Sequence, residues 1–307
     1  MSVVYVRLSG GLGNQLFQYA AARALALRKG CGLRLDITSF EACPLRRYAL
    51  SNYAISQTIA TTRELSIVAD ATIATPSIGP VGLLSNWFPR KKKFVSNVGN
   101  VPNVRSVRYN EPHYHFDAQL DRQETPIHMV GYWQSERYFS DAVDTLRCEL
   151  VPKLPLDDAN GEIAGQIARS NAISLHVRRG DYVTNAAANA FHGVCSIDYF
   201  HRGIGHIVER TSDPRVFLFS DDIGWAQTHI DLGVPTTFVA VNQPCRGFRD
   251  IQLMSMCRHH VISNSTFGWW GAWLNPIQDK IVVAPRRWFV HDDWNTCDLI
   301  PAGWMRL

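Results

Sequence analysis

Residues 171–182 read Asn-Ala-Ile-Ser-Leu-His-Val-Arg-Arg-Gly-Asp-Tyr. The run is mostly apolar and then meets two arginines, a glycine and an aspartate. It predicts a buried strand over 171–177 that presents charge at its carboxyl end. Downstream the pattern repeats, with strands predicted at 215–220, 236–241, 260–263 and 280–284. Helices predicted at about 158–169, 223–230, 248–259 and 265–274 alternate with them. Strands alternating with helices of about ten residues predict a parallel sheet covered on both faces. Such sheets bind ligands outside the carboxyl ends of their strands.

Upstream, residues 3–8 (Val-Val-Tyr-Val-Arg-Leu) predict a short buried strand. It runs through the glycine-rich turn Ser9–Asn14 into an alanine-rich helix over 15–29, closed by Gly30 and followed by a strand over 31–36. The stretch 37–125 is less regular, with a helical piece near 62–70; a strand over 127–133 and a helix over 135–149 come next. Val151–Gly161 carries Pro152, Pro155 and the acidic pair Asp157-Asp158, so it is the best boundary. Dividing the 307 residues there gives domains 1–155 and 156–307, each near the usual ~150.

Composition narrows the classes. With 46% hydrophobic and 19% charged residues, the chain is neither disordered nor a coiled coil nor collagen-like. Basic residues exceed acidic ones by four (31 − 27), which by itself implies no nucleic-acid partner. Seven scattered cysteines without a C-x-x-C argue against a disulfide framework or a zinc ribbon. The amino terminus lacks a signal-peptide pattern, and no window approaches the ~18 apolar residues of a spanning helix. The expectation is a soluble cytoplasmic protein with at most peripheral contact at the inner face of a membrane. The run Arg90–Lys93, beside Trp87 and Phe88, could touch a membrane surface or an acidic partner; the plainer reading is a solvated loop.

Candidate site residues follow from side-chain chemistry. A guanidinium is permanently charged and offers a fork of donors matched to phosphate oxygens. Arg178 and Arg179 with Asp181 can therefore hold a diphosphate; the plainer reading is a surface ion pair closing a turn. Asn264, Ser265 and Thr266 precede an aromatic helix, where free N–H groups and hydroxyls form an anion cradle. Helix capping explains part of the same pattern. Trp269, Trp270 and Trp273 read as packing against the sheet. Gly-Gly-Leu-Gly-Asn-Gln over 10–15 resembles a dinucleotide fingerprint but puts Leu16 where the third glycine belongs. Asp221, Asp222 and Asp250 could receive ribose hydroxyls or guanine N–H groups, with capping as the alternative for Asp250. There is no Asp-x-Asp, and the pairs His113/His115 and His259/His260 lack partners at ligand spacing, so no metal is expected. The missing G-x-S-x-G argues against an α/β-hydrolase.

Three blocks, GGLGNQLFQYAAARALA (10–26), HVRRGDY (176–182) and SNSTFGWWGAWLN (263–275), resemble the bacterial α-1,2-fucosyltransferases of glycosyltransferase family 11. GYWQSERYF (131–139), LFSDD (218–222) and DIQLMSMCRHHVI (250–262) fall in the family's order, so the resemblance spans residue 6 to about 290. The HVRR-x-D element is shared with α-1,6-fucosyltransferases and protein O-fucosyltransferases. The resemblance implies an α/β, GT-B-like fold with two Rossmann-type domains facing a central cleft. The amino-terminal half would shape the acceptor side and the carboxyl-terminal half would bind GDP-β-L-fucose. It further implies inverting, metal-independent transfer of fucose, with no cofactor, to the 2-hydroxyl of a terminal galactose. A β-galactoside in O-antigen or another surface glycan is the implied acceptor. Arg178 would hold the β-phosphate, His176 and Asp250 the guanosine, and Asn264, Ser265 and Thr266 the diphosphate region. Asp222 would help on the nucleoside side, and Gly11 and Asn14 would lie near the sugar or diphosphate. The base candidates are Asp181, Glu111 and His115, because some relatives carry an acid where residues 182–186 here read Tyr-Val-Thr-Asn-Ala. The rival readings are an inactive sugar-nucleotide-binding module and an NAD-dependent oxidoreductase.

Overall fold

A computed structural model describes residues 2–41, 43, 46–55, 58–69 and 107–307. The basic run 90–93 with Trp87 and Phe88 lies outside the described residues. The chain divides into two compact units.

The first unit comprises Met1–Ser51, Ile55–Glu149 and Asn295–Leu299. It contains β1 (Val3–Arg7), α1 (Leu12–Arg28), β2 (Gly32–Asp36), α2 (Thr62–Ala69), β3 (Val107–Asn110), β4 (Ile127–Val130) and α3 (Val143–Glu149). The four strands are parallel in the order β2-β1-β4-β3. Alanines let α1 lie close to the sheet, and Leu16, Ala20, Ala24 and Leu25 are fully buried. Helix α1 begins three residues earlier than expected because Gly11 serves as its N-cap. The sharp turn out of β1 uses Gly10 at φ +75°, where a Cβ would meet the Asn14 side-chain nitrogen at 2.6 Å. The helix expected over 135–149 is broken into a single 3-10 turn at Glu136–Tyr138 and then α3. At the break Phe139 leaves the helical region (φ −140°, ψ 21°), and the Arg28 guanidinium donates to the Tyr138 carbonyl at 3.2 Å and to Asp141 at 2.9 Å. That carbonyl is thereby held by a side chain.

The second unit comprises Asn52–Ala54, Leu150–Trp294 and Ile300–Leu307. Its elements are α4 (Asp158–Ala168), β5 (Asn171–Val177), α5 (Gly180–Thr184), α6 (Ala186–His192), α7 (Ile197–Val208), β6 (Pro214–Ser220), α8 (Ile223–His229), β7 (Thr236–Phe238), α9 (Gly247–Met256), β8 (His259–Ile262), α10 (Thr266–Leu274), β9 (Val282–Ala284) and β10 (Met305–Arg306). All six strands are parallel, in the order β10-β9-β8-β5-β6-β7. Counted within the unit, that is the doubly wound order 3-2-1-4-5-6, whose switch point lies between β5 and β8.

Alternation along β5 sets its two faces. Ile173, Leu175 and Val177 join the core made with Phe200, Ile204 and Ile207 of α7. Burying each of those three α7 side chains contributes roughly 2 kcal/mol. Ser174 and His176 point to the opposite face. There Ser174 meets His260 at 3.1 Å, and His176 lies against α10. Trp269 and Trp270 of α10 are fully buried, as their packing role requires. Among the described residues, no helix is long and apolar enough to cross a membrane.

Candidate functional site

The switch point of the second sheet gathers the charged residues. Beyond β5, Ser263 stitches the two central strands: its N–H and hydroxyl both donate to the His176 carbonyl, at 3.1 and 2.8 Å. The Ser263 hydroxyl oxygen in turn accepts from the Arg178 N–H at 3.0 Å. Arg178 thus starts from a fixed backbone, and its guanidinium is fixed as well. Asp181 accepts from one nitrogen at 2.5 Å, and Asp221, from the end of β6, lies 2.9 Å from another. Burial pulls the Arg178 pKa down, but Asp221 and Asp181 outweigh it, so the charge is held more firmly than usual. Asp221 also accepts the Arg179 N–H at 2.8 Å. Arg179 lies over the Trp225 ring at 3.6 Å and pairs with Asp222 at 3.5 Å, a cation–π contact joined to an ion pair.

His176 is 4% exposed, and its Nδ1 has no hydrogen-bond partner among the described residues. Burial, with Arg178 nearby, lowers its pKa to about 3, so the ring is neutral at physiological pH. It packs beneath the first turn of α10: a Cβ on Gly268 would fall 2.7 Å from that Nδ1. Ser265 is the N-cap of α10, accepting the Phe267 N–H at 3.3 Å, and Thr266 is the first helical residue. The structure shows Ser265 and Thr266 as a capped helix end beside Arg178's strand. Asn264 sits differently. It is buried, and its amide donates to the carbonyls of His192 and Trp288 at 2.8 and 3.1 Å, fastening two loops.

Asp222 caps α8 by accepting the Trp225 N–H at 3.3 Å. Asp250, in the first turn of α9, accepts from Asn242 at 2.8 Å, and burial raises its pKa to about 6. Asn242 and Asn160 form a reciprocal amide pair at 2.8 and 3.0 Å that steadies this carboxylate. Sequence reasoning missed Ser263, Trp225, Asn160 and Asn242 as supports. Single polar residues at strand ends carry no local signature, and the amide pair joins positions 82 residues apart.

Gly11, Asn14, Glu111 and His115 belong to the first unit. Asn14 accepts from Gln134 at 3.0 Å, so the glycine-rich turn is tied to the loop after β4. Gln18 ties the same places, accepting the Ser9 N–H at 2.9 Å and donating to the Gly131 carbonyl at 2.9 Å. Glu111 is 3% exposed, and its two oxygens accept the N–H groups of Tyr132 and Trp133 at 2.6 and 3.0 Å. Burial nonetheless pushes its pKa up to about 8, against those two hydrogen bonds. His115 stacks on His113 with ring centroids 3.6 Å apart, and burial lowers its pKa.

Glu111 makes a pH prediction. Its folded pKa lies above the unfolded value, so the folded state binds the extra proton and stability falls as pH rises from about 5 through 8. Glu111→Gln should flatten that fall in Tm between pH 5 and 8. Parallel wild-type and variant melting curves across this window would refute the assignment.

A model of glycosyl transferase family 11 matches residues 3–305. The Escherichia coli O-antigen biosynthesis glycosyltransferase WbnK is 33% identical over 332 residues, covering 99% of this chain and 100% of that protein. An Escherichia coli alpha-1,2-colitosyltransferase is 30% identical over 313 residues, covering 100% and 99%. Among solved structures, a point mutant of Arabidopsis thaliana FUT1 in complex with GDP superposes with a TM-score of 0.52 at 12% identity, covering 92% of this chain and 70% of that one. That likeness is one of fold, and with the two parallel-sheet units it bears out the α/β, GT-B-type architecture. The match over nearly the whole length, together with the two full-length relatives, establishes that the chain belongs to glycosyl transferase family 11.

Proposed function

We propose that this glycosyltransferase moves L-fucose from GDP-β-L-fucose to the 2-hydroxyl of a terminal galactose in a surface glycan, with inversion and without a metal. One observation carries the reading: a permanently charged guanidinium, framed by two carboxylates, stands at the switch point of a doubly wound sheet. A departing nucleoside diphosphate gains negative charge as the glycosidic bond lengthens. A preorganised Arg178 beside the amino-terminal end of α10 stabilises that charge without reorganising at the moment of reaction. Ser265 and Thr266 complete the diphosphate side. Asp250, steadied by Asn242, would accept guanine N–H groups, with neutral His176 packed beneath the first turn of α10.

The acceptor proton needs little help. Asp181 is engaged with Arg178, and Glu111 has both oxygens on backbone N–H groups. In a dissociative transition state the hydroxyl loses its proton late, so a weak base or water suffices.

A second donor follows from the relatives, since one full-length relative is a colitosyltransferase. The test incubates the protein with a galactoside and either GDP-fucose or GDP-colitose, each with and without EDTA. Fucosylated product that resists EDTA supports the proposal, and colitosylated product alone moves the donor assignment. GDP binding without product points to an inactive binding module, and loss of turnover with EDTA overturns the metal-free mechanism.

A further inference from the structure

Beside the SNST segment the second unit holds an open surface pocket of about 480 Å³, within the size range of small-ligand sites. Its wall is aromatic, with the rings of His192 and Phe289 5.6 Å apart. Its charged side chains are Asp198 and three arginines, Arg202, Arg286 and Arg287, and Ser196 and Tyr199 add hydroxyls. Asn264 also lines it, one residue from the Ser265 cap of α10. A chain of ring contacts connects it to the charged centre: His192 stacks on Tyr182 at 4.3 Å, and the Arg178 guanidinium lies 5.3 Å from the Tyr182 ring. Sugar rings bind where an aromatic wall meets planar hydrogen-bonding side chains, and this lining has both.

The charge of the lining narrows the ligand. Arg202 is held by Asp198 only at 3.6 Å and Arg287 by Asp292 only at 3.8 Å, all four side chains being well exposed. The Arg286 side chain is exposed and has no ion-pair partner among the described residues. Such loose surface pairs contribute little and yield readily to a better anion. We infer that this pocket is an acceptor subsite for glycan residues beyond the galactose, and that it selects a glycan bearing an acidic group. The inference rests on the transferase reading above and deepens it by naming the acceptor class.

The test compares a neutral galactoside with the same galactoside extended by a uronic acid or by a phosphorylated sugar. Two readouts are needed: binding of the charged oligosaccharide to donor-free protein by titration calorimetry, and transfer kinetics with GDP-fucose. For the wild type, a lower KM is expected for an acidic acceptor than for the neutral one. Arg286→Ala should raise the KM of the acidic acceptor by about ten-fold or more, the scale of one lost charge-assisted hydrogen bond. The KM values of the neutral galactoside and of GDP-fucose should stay unchanged, and Arg202→Ala should act in the same direction. Equal affinity for acidic and neutral glycans, or an equal rise in every KM, overturns the inference. Calorimetric binding of the acidic glycan without transfer leaves the subsite standing and instead defeats the assignment of fucose as the donor sugar.

Discussion

Arg178→Ala should reduce kcat by a factor of about 100 or more, as does the loss of one preorganised donor at a site of developing negative charge. The local charge count enlarges the effect. Arg178 and Arg179 stand against Asp181, Asp221 and Asp222, so truncation leaves one cation facing three carboxylates. A diphosphate would then meet repulsion where it now meets a fork. Arg178→Lys should recover only part of the loss, because a point charge cannot keep two carboxylates and a phosphate in register. Both acids are partly exposed, at 36% and 27%, so removing their partner should leave the fold intact by circular dichroism. Near-normal turnover in a folded Arg178→Ala protein would show that the charge acts elsewhere.

The second large effect comes from a residue with no polar atom in its side chain. Gly268→Ala should raise the KM for the sugar nucleotide at least several-fold and lower stability by about 1–3 kcal/mol, the usual cost of overpacking. The added Cβ would lie 2.7 Å from His176 Nδ1 and 2.9 Å from its Cγ, and His176 is sealed at 4% exposure. Either the imidazole or the first turn of α10 must move, and that turn carries Ser265 and Thr266. Gly161→Ala in α4 is the control. Nothing lies within 4 Å of its Cβ position, so it should stabilise by about 0.5–1 kcal/mol through helix propensity without touching KM. An unchanged donor KM in Gly268→Ala would separate the helix end from nucleotide binding.

The sequence was most informative where burial on both faces forces continuous apolar runs. Strand β5 was legible to the residue, and β6 and β8 to within one, because their neighbours are helices and other strands. Strand β3 (Val-Arg-Tyr-Asn) was hidden by its four-residue length and by polar Arg108 and Asn110. Strand β10 has two residues, too few for any periodicity. Helix α7 does carry a sequence signal, since Phe200, Ile204 and Ile207 recur at helical spacing and are all buried. At the site, residue types announced themselves where chemistry is rare, as with adjacent arginines at a strand end. Their partners did not. Asp221 stands 43 positions from Arg178 and Ser263 85 positions away, and only the parallel pairing of β5 with β6 and β8 brings them together.

The most direct test is a structure with GDP bound. The account predicts β-phosphate oxygens within about 3 Å of the Arg178 guanidinium, with further hydrogen bonds from Ser265, Thr266 or the first N–H groups of α10. A diphosphate seated away from residue 178, or one held through a divalent ion, would contradict it.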